Sequence, residues 1–398
     1  MQDLIFVSLE NWDEVWRRNQ FLCAGLARRF PDSKILFVGL TRDVTNDLRH
    51  GRLPALRLGD ASVPGLPNIT ITRPLKLLPN TLGWGRRINE ALFRAHVNRA
   101  ALRLGIKCPL LWLNPQTAVH MVGKMGEQSV VYDITDDWTA LTQTQALKRL
   151  TVAQDQELCG LAETIFVCSE HLFAIKRDLA RNLHMVSNGV EAEHYERVLD
   201  GEGPLPAPAN GWAKPVLGYT GTLHPDRVDV ELIESLAHRF PQGTIALIGP
   251  NMLVGKDLAR LEACPNIVLT GPMPYETLPE MMRAFDVCIT PHKVSAFTES
   301  LNPIKLWEYL AAGKPIVSTD VAGFRDYPQF VSLAPDADSF ALAVDAALLE
   351  EPSVAQERRA EARKHSWEAR LDDILRVLLV ETEAGAVRSG ARKTVHVA

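Results

Sequence analysis

The sequence predicts an α/β protein built from two doubly wound parallel sheets. Short apolar runs rich in Val and Ile alternate with helical segments along most of the 398 residues, as is typical of parallel strands joined by crossover helices. A chain of this length can form two full cores. The stretch 195–215 is rich in glycine and proline and has few apolar anchors, so we predict a linker there.

The first half, residues 1–194, is predicted to form one of the two domains. Its opening run at 4–9 is apolar, and it is too short and lacks the basic flank of a signal peptide, so we expect the first strand there. Further strands are predicted at 34–40, 69–72, 110–114, 129–132, 164–168 and 184–187.

The second half, residues 216–366, repeats the alternation and is predicted to form the other domain. Its strands are predicted at 216–219, 244–248, 267–269, 287–290 and 316–319. The apolar residues of 367–382 recur at helical spacing, which predicts a last amphipathic helix. From 383 to 398 no core-forming pattern is present, so a disordered tail is expected.

Composition excludes several functional classes. The hydrophobic content of 46% and charged content of 23% are ordinary for a globular protein, and the net charge of −5 gives no general attraction to nucleic acid. No uninterrupted apolar stretch reaches the ~18 residues that a transmembrane helix needs. The six cysteines are scattered without a C-x-x-C pair, which favours reduced thiols and a cytoplasmic location.

The segment 298–319 carries the strongest functional signal. It predicts a loop, a helix, a turn and a strand, with Asn302 as the N-cap and Pro303 at the first helical position. Lys305 and Glu308 lie one turn apart near the helix start, where free N–H groups and the helix dipole suit a phosphate. A carboxylate there can also accept hydrogen bonds from sugar hydroxyls. We predict a nucleotide diphosphate site; the alternative is a well-capped amphipathic helix.

This segment resembles the nucleotide-sugar-binding helix of GT-B glycosyltransferases, especially bacterial enzymes that build exopolysaccharide, teichuronic acid or similar polymers. The resemblance implies two Rossmann-like domains facing a cleft, with the acceptor on the N-terminal domain, the donor on the C-terminal domain and a final helix that crosses back. Many retaining members carry two glutamates eight positions apart. Here Glu308 matches the second, but Ser300 stands at the first and Glu299 one residue earlier, so the stereochemical outcome stays open.

The resemblance implies further donor contacts. Gly221 and Thr222 follow a strand, at an edge where ligands bind, and the family places this loop at the diphosphate. The usual arginine and lysine are missing, so Arg227 is expected to replace them; a simple tight turn is the alternative. The segment 271–275 is expected to wrap the nucleobase through backbone groups, and His292 to face the diphosphate or sugar. The full predicted donor set is Gly221, Thr222, Arg227, Pro274, Tyr275, His292, Ser300, Leu301, Asn302, Lys305 and Glu308.

Candidate catalytic carboxylates lie in the first domain. A strand runs into Asp133, Asp136 and Asp137, three acids whose mutual repulsion is costly unless something uses them. An inverting transfer needs a carboxylate base, and a similar acidic segment recurs in inverting glucuronosyltransferases, so Asp136 or Asp137 is predicted to be that base. A helix cap or a loop anchor is the alternative. Lys305 is predicted to stabilise the leaving diphosphate. There is no D-x-D motif, and no metal or other cofactor is expected.

Candidate acceptor contacts come from two segments. Trp12 and Trp16 follow the first strand and are predicted to stack on an acceptor sugar, with ordinary packing as the alternative. Residues 77–107 combine apolar side chains with a run of arginines, which indicates contact with an anionic membrane surface. The alternative for this segment is a solvated basic face.

We therefore expect a hexosyltransferase that is cytoplasmic or associates with the inner face of the membrane. It would move a sugar from a nucleotide diphosphate sugar, with UDP as the expected carrier, to a glycan or lipid-linked acceptor in surface polysaccharide biosynthesis. A nucleotide-sugar epimerase of the same fold would instead convert the donor without releasing nucleotide. An inactive GT-B scaffold protein would show no turnover.

Overall fold

The structure is a computed structural model that describes residues 2–45, 59–80, 83–140, 144–300 and 302–379. Its first sheet has eight strands in the order β10-β9-β8-β7-β1-β2-β5-β4, all parallel except the antiparallel pair β4–β5. The strands are β1 (Leu4–Val7), β2 (Ile35–Val38), β4 (Ala61–Val63), β5 (Leu66–Thr72), β7 (Leu110–Leu113), β8 (Ser129–Ile134), β9 (Thr164–Val167) and β10 (Leu183–Met185). A separate pair joins β3 (Arg42–Asp43) to β6 (Leu75–Lys76).

Helices flank this sheet in the order expected for crossover connections. They are α1 (Arg18–Arg29), α2 (Gly83–Leu104), α3 (Gln145–Leu161) and α4 (Glu170–Lys176), with a 3₁₀ turn at Gln116–Met121. The next helix, α5 (Ala192–Asp200), packs against helices of the second domain.

The second sheet has six parallel strands in the order β13-β12-β11-β14-β15-β16. They are β11 (Val216–Thr220), β12 (Thr244–Ile248), β13 (Ile267–Gly271), β14 (Val287–Thr290), β15 (Ile316–Ser318) and β16 (Val331–Leu333). Its helices are α6 (Val230–Arg239), α7 (Gly255–Glu262), α8 (Leu278–Met282), α9 (Ile304–Ala311), α10 (Ala337–Ala347), α11 (Ser353–Arg363) and α12 (367–379).

The central strands are apolar without alternation because helices cover both faces of each sheet. Strands β1 and β2 read Leu-Ile-Phe-Val and Ile-Leu-Phe-Val, and all eight side chains are buried. The prediction of two doubly wound parallel sheets is confirmed. Among the described residues, no helix is both long enough and apolar enough to cross a bilayer.

The connection between the two sheets differs from the predicted linker in its first residues. Helix α5 occupies 192–200, and Tyr195 within it is completely buried. The non-helical connection therefore begins at Gly201. The glycine and proline content that indicated a linker also starts at Gly201, whereas Tyr195 and Val198 lie one turn apart and pack into the core.

Helix α12 lies against the first domain. Trp367 stacks on Phe21 of α1 with ring centroids 4.9 Å apart, and Gly25 of α1 leaves room for the Leu371 side chain where a Cβ would collide with it. The ends of the sheets in the two domains are thereby held opposite each other. The last residues of the predicted helix, 380–382, and the predicted tail at 383–398 lie outside the described residues.

Candidate active site

The helix predicted to hold the donor begins one residue later than the sequence suggested. Helix α9 starts at Ile304, with Pro303 in the cap position and no side-chain cap. The prediction of Asn302 as N-cap is wrong, because the Asn302 Oδ1 atom accepts a hydrogen bond from the backbone N–H of Asn188 at 2.8 Å. The Asn302 side chain therefore binds a turn of the first domain and does not cap the helix.

The first turn of α9 presents a cation above a buried carboxylate. The Nζ atom of Lys305 lies 3.0 Å from Oε2 of Glu308, and the Glu308 side chain is only 3% exposed against 24% for Lys305. Tyr309 accepts a hydrogen bond at its hydroxyl from the backbone N–H of Thr220 at 2.9 Å, which fixes the helix on the end of β11.

The glycine after β11 packs directly under this helix. Gly221 has φ +148°, and a Cβ at this position would lie 2.9 Å from the Tyr219 hydroxyl and 3.3 Å from Cε of Lys305. A larger residue would therefore crowd the lysine as well as strain the backbone. The structure brings together Gly221, the adjoining Thr222, Lys305 and Glu308 at the carboxyl end of the second sheet, where such folds bind ligands. Their roles in donor binding remain predictions.

His292 lies behind this loop as a neutral base. It is 3% exposed, and its Nε2 atom lies 3.3 Å from the Tyr219 hydroxyl. Burial, together with the charge of Arg227, lowers the pKa of His292 to about 3, so the imidazole is uncharged at neutral pH. The position of His292 suits a side chain that supports the 219–222 loop by hydrogen bonding. Its contact with the donor stays a prediction.

The loop before α9 joins the two domains. The backbone N–H of Asp137 donates to Oγ of Ser300 at 3.1 Å, and the hydroxyl of Ser169 donates to the Ser300 carbonyl at 2.7 Å. Ser300 is completely buried, so its hydroxyl is committed to this contact in the structure. Its predicted role as a donor ligand is untested, and Leu301 lies outside the described residues.

A buried polar chain continues from this loop into the first domain. The Asn188 side-chain amide donates to the carbonyl of Asn302 at 2.5 Å, and Arg18 donates to Oδ1 of Asn188 at 3.2 Å. Arg18 in turn forms an ion pair with Asp133 at 3.0 Å, and both side chains are at most 4% exposed. The start of α9 is thus tied to the end of β8. Sequence analysis missed this connection because its members are more than 100 positions apart.

The structure separates the two candidate bases. Asp137 accepts hydrogen bonds at Oδ1 from the backbone N–H and the hydroxyl of Thr139, at 3.0 and 2.5 Å, so its carboxylate closes a local turn. Asp136 faces across the cleft, with Oδ1 3.8 Å from Nη2 of Arg227. Burial raises the pKa of Asp136, although the charge of Arg227 opposes the shift. Arg227, predicted to bind the diphosphate, therefore lies between the donor loop and Asp136.

A further carboxylate, Glu10, was missed by sequence analysis. It follows β1, and its Oε1 and Oε2 atoms lie 3.6 Å from Arg17 and 3.4 Å from the Asn19 amide nitrogen. Burial raises the pKa of Glu10 to about 7; Arg17 opposes this shift and the charge of Asp136 adds to it. The available signal was its place at the carboxyl end of a parallel strand, on the same sheet edge as Asp136.

Trp16, predicted to bind the acceptor sugar, and Tyr275, predicted to bind the nucleobase, contact each other at the domain boundary. Trp16 stacks on Tyr275 with ring centroids 5.9 Å apart, and Trp12 packs edge-on against Phe37 at 5.1 Å. The Tyr275 backbone N–H donates to the carbonyl of Glu14 at 3.0 Å. Trp16 and Tyr275 therefore contribute to packing between the domains, Trp12 packs within the first domain, and Pro274 is exposed. The predicted ligand contacts of all four remain untested.

Glu299, which precedes Ser300, is engaged by an arginine. Both carboxylate oxygens of Glu299 accept hydrogen bonds from Arg325, at 2.7 and 2.9 Å.

Within the described ranges, no three His, Cys, Asp or Glu side chains are grouped as a metal site. The expectation that no metal takes part stays a prediction.

These features define the class of protein. The chain has the GT-B fold of two Rossmann-like domains around a cleft, as expected from the α9 segment. Residues 214–350 match the family described as glycosyl transferases group 1. These residues span the second domain, so the similarity to group 1 glycosyl transferases lies there.

Particular relatives agree with this class. Over 206 residues the chain is 29% identical to the putative teichuronic acid biosynthesis glycosyltransferase TuaH of Bacillus subtilis (strain 168), a match that spans 48% of this chain and about half, 50%, of that relative.

Two solved structures share the fold over nearly the whole chain. The sucrose-phosphate synthase of Thermosynechococcus elongatus superposes with a TM-score of 0.72 at 14% identity, covering 96% of this chain and 100% of that one. Anabaena HepE in complex with UDP and glucose superposes with a TM-score of 0.65 at 16% identity, covering 95% and 99%. At such identities the structural likeness concerns the fold alone.

Proposed function

We propose that this protein is a glycosyltransferase that moves a sugar from a nucleotide diphosphate sugar to a glycan or lipid-linked acceptor. The observation that carries the proposal is the placement of Lys305 on the first turn of α9, directly beside Gly221. A helix N-terminus, a cation and a closely approaching backbone together suit a diphosphate. The match of residues 214–350 to group 1 glycosyl transferases supports the same reading.

The chemistry follows from charge movement during transfer. As the acceptor oxygen attacks the anomeric carbon, the bond from that carbon to the diphosphate breaks and its electron pair leaves with the diphosphate. Lys305 and the N–H groups of α9 stabilise this developing charge. Asp136 is the better placed of the two candidate bases to take the acceptor proton, because the Asp137 carboxylate is engaged by Thr139.

We further propose UDP as the nucleotide and surface polysaccharide synthesis as the setting. The support is that HepE, a protein of the same fold, was solved with UDP and glucose, and that TuaH is named for teichuronic acid biosynthesis.

The proposal includes contact with an anionic membrane through α2. Three side chains at four-residue spacing along this helix, Trp84, Ile88 and Leu92, are 59%, 44% and 38% exposed. Arg87 and Arg99 on the same helix are also exposed. An exposed apolar row beside arginines is typical of a helix that rests on a membrane surface. Leu82, which belongs to the same predicted segment, lies outside the described residues.

The decisive experiment measures nucleotide release from UDP-, GDP-, TDP- and ADP-sugars, with and without a pool of lipid-linked acceptors. We expect release from one UDP-sugar, stimulated by acceptor. Conversion of the donor sugar without nucleotide release would indicate an epimerase instead. Absence of release together with absence of a thermal shift by any nucleotide would overturn the enzyme proposal in favour of a scaffold.

A further inference from the structure

A large cavity lies in the first domain between α2 and α3. Its volume is about 970 Å³, at the upper end of the range of roughly 300–1,000 Å³ usual for small-molecule sites. It opens at the carboxyl ends of β1 and β2. The side chains that give it an apolar character are Leu9, Leu40, Phe93, Ala118, Leu147 and Leu150.

Two of the leucines that line this cavity are exposed. Leu40 and Leu147 both line it and are 45% and 50% exposed. Exposed leucines at the mouth of a largely apolar cavity give an apolar ligand additional surface to bury. Polar side chains such as Asn80, Asn89 and Gln154 also line the cavity, but apolar atoms make up most of its surface, which favours a hydrocarbon chain.

The lining of the cavity includes a partly buried cation. Arg86 lines it, and its Nε atom is buried and forms no hydrogen bond within the described part of the chain. Glu90, which also lines the cavity, lies 3.5 Å from that atom. His120 also lines the cavity, and burial together with the charge of Arg94 lowers its pKa to about 4, so it is uncharged. The partly paired guanidinium of Arg86 suits an anionic group such as a phosphate.

The cavity adjoins the edge of the first sheet that carries the candidate catalytic carboxylates. Leu9 lines the cavity, and the next residue, Glu10, lies beside Asp136 in the cleft. A molecule with its chain in the cavity would therefore reach the cleft with the group attached to that chain. This arrangement connects a site for a hydrocarbon to the place where the acceptor hydroxyl must lie.

We propose that this cavity binds the hydrocarbon chain of a lipid phosphate acceptor, with the phosphate near Arg86. The inference rests on the proposed transferase function and specifies its acceptor as a molecule that carries a long apolar chain.

The test is binding of alkyl phosphates with 8, 10 and 12 carbons, each below its critical micelle concentration, measured by calorimetry on the full-length protein. We expect affinity to rise with chain length by up to about fourfold per methylene group. Inorganic phosphate alone should bind weakly. Affinity that does not depend on chain length would overturn the proposal.

A matched pair of variants tests where the hydrocarbon chain of the ligand lies. Ala146 lines the cavity from an exposed position on α3, so the ring of Ala146→Phe should block part of it and weaken dodecyl phosphate binding at least tenfold. Ala153→Phe, on the same helix and outside this cavity, should leave binding unchanged. Equal effects of the two substitutions would mean that the hydrocarbon chain binds elsewhere, and would contradict the assignment.

A third variant tests the position of the phosphate. Arg86→Gln should weaken dodecyl phosphate but leave dodecanol binding unchanged, since only the former carries a charge. UDP binding by the same protein separates the two claims. Wild-type protein that binds UDP and releases nucleotide but shows no dependence on chain length would refute the cavity assignment alone. Absence of UDP binding and nucleotide release would refute the transferase proposal.

Discussion

The candidate donor and acceptor halves of the cleft are built in opposite ways. In the second domain one short segment supplies the helix, the cation and the carboxylate, because Lys305 and Glu308 are neighbours on α9. In the first domain the candidate groups Glu10 and Asp136 come from the ends of two strands that are separated by β7 in the sheet. A site made within one helix can be recognised from spacing, whereas a site made by strand order requires the topology.

The largest expected effect distinguishes the two adjacent aspartates. Asp136→Asn should lower turnover by about 10²–10⁴-fold, the usual contribution of a general base. Asp137→Asn should mainly weaken the turn that contains Thr139 and change turnover much less. Steady-state kinetics with the donor found in the release assay measure both. A greater loss of turnover for Asp137→Asn would reverse the assignment.

A slightly smaller effect is expected on the donor side. Lys305→Ala should reduce turnover by about 10²–10³-fold, because the leaving diphosphate loses a charge that stabilises it in the transition state. Lys256→Ala, at an exposed position of α7, is the matched control and should have wild-type kinetics. Circular dichroism checks that both variants are folded. Normal turnover in the Lys305 variant would remove it from the mechanism.

The contact between the two halves can be tested at Ser300. Ser300→Ala leaves the buried Asp137 N–H without its partner, which should cost about 1–3 kcal/mol in the free energy of unfolding. The Phe297 carbonyl loses the bond from the hydroxyl but keeps the one from the backbone N–H of residue 300. Ser332→Ala, at an exposed position of β16, should change stability little. Urea denaturation measures both values. A stable Ser300 variant with a raised KM for donor would instead support the predicted ligand role of Ser300.

The smallest expected effect concerns pH and Glu10. Burial raises the pKa of Glu10 to about 7 in the folded state, above the ordinary glutamate value of 4.5. Between these values the folded protein binds more protons than the unfolded chain, so the contribution of Glu10 to stability falls as pH rises through this window. Glu10→Gln should remove that decline. Thermal melts at pH 5, 6, 7 and 8 give the comparison, and curves of identical shape for the two proteins would contradict the shift.

The sequence by itself determined the parts that depend on local pattern. Strands buried on both faces appear as continuous apolar runs, so the two sheets followed from the order of such runs. The spacing of Lys305 and Glu308, with Pro303 before them and Gly313 after them, predicted the donor helix because helical neighbours are set by chain geometry.

Only the tertiary structure decided which distant groups meet. Asn302 was the natural cap of α9 by residue type, yet a turn of the first domain takes its side chain. The choice between Asp136 and Asp137 depended on whether Arg227 of the other domain or the nearby Thr139 reaches each carboxylate. Local spacing carries no information about such contacts, because strand order and domain docking determine them.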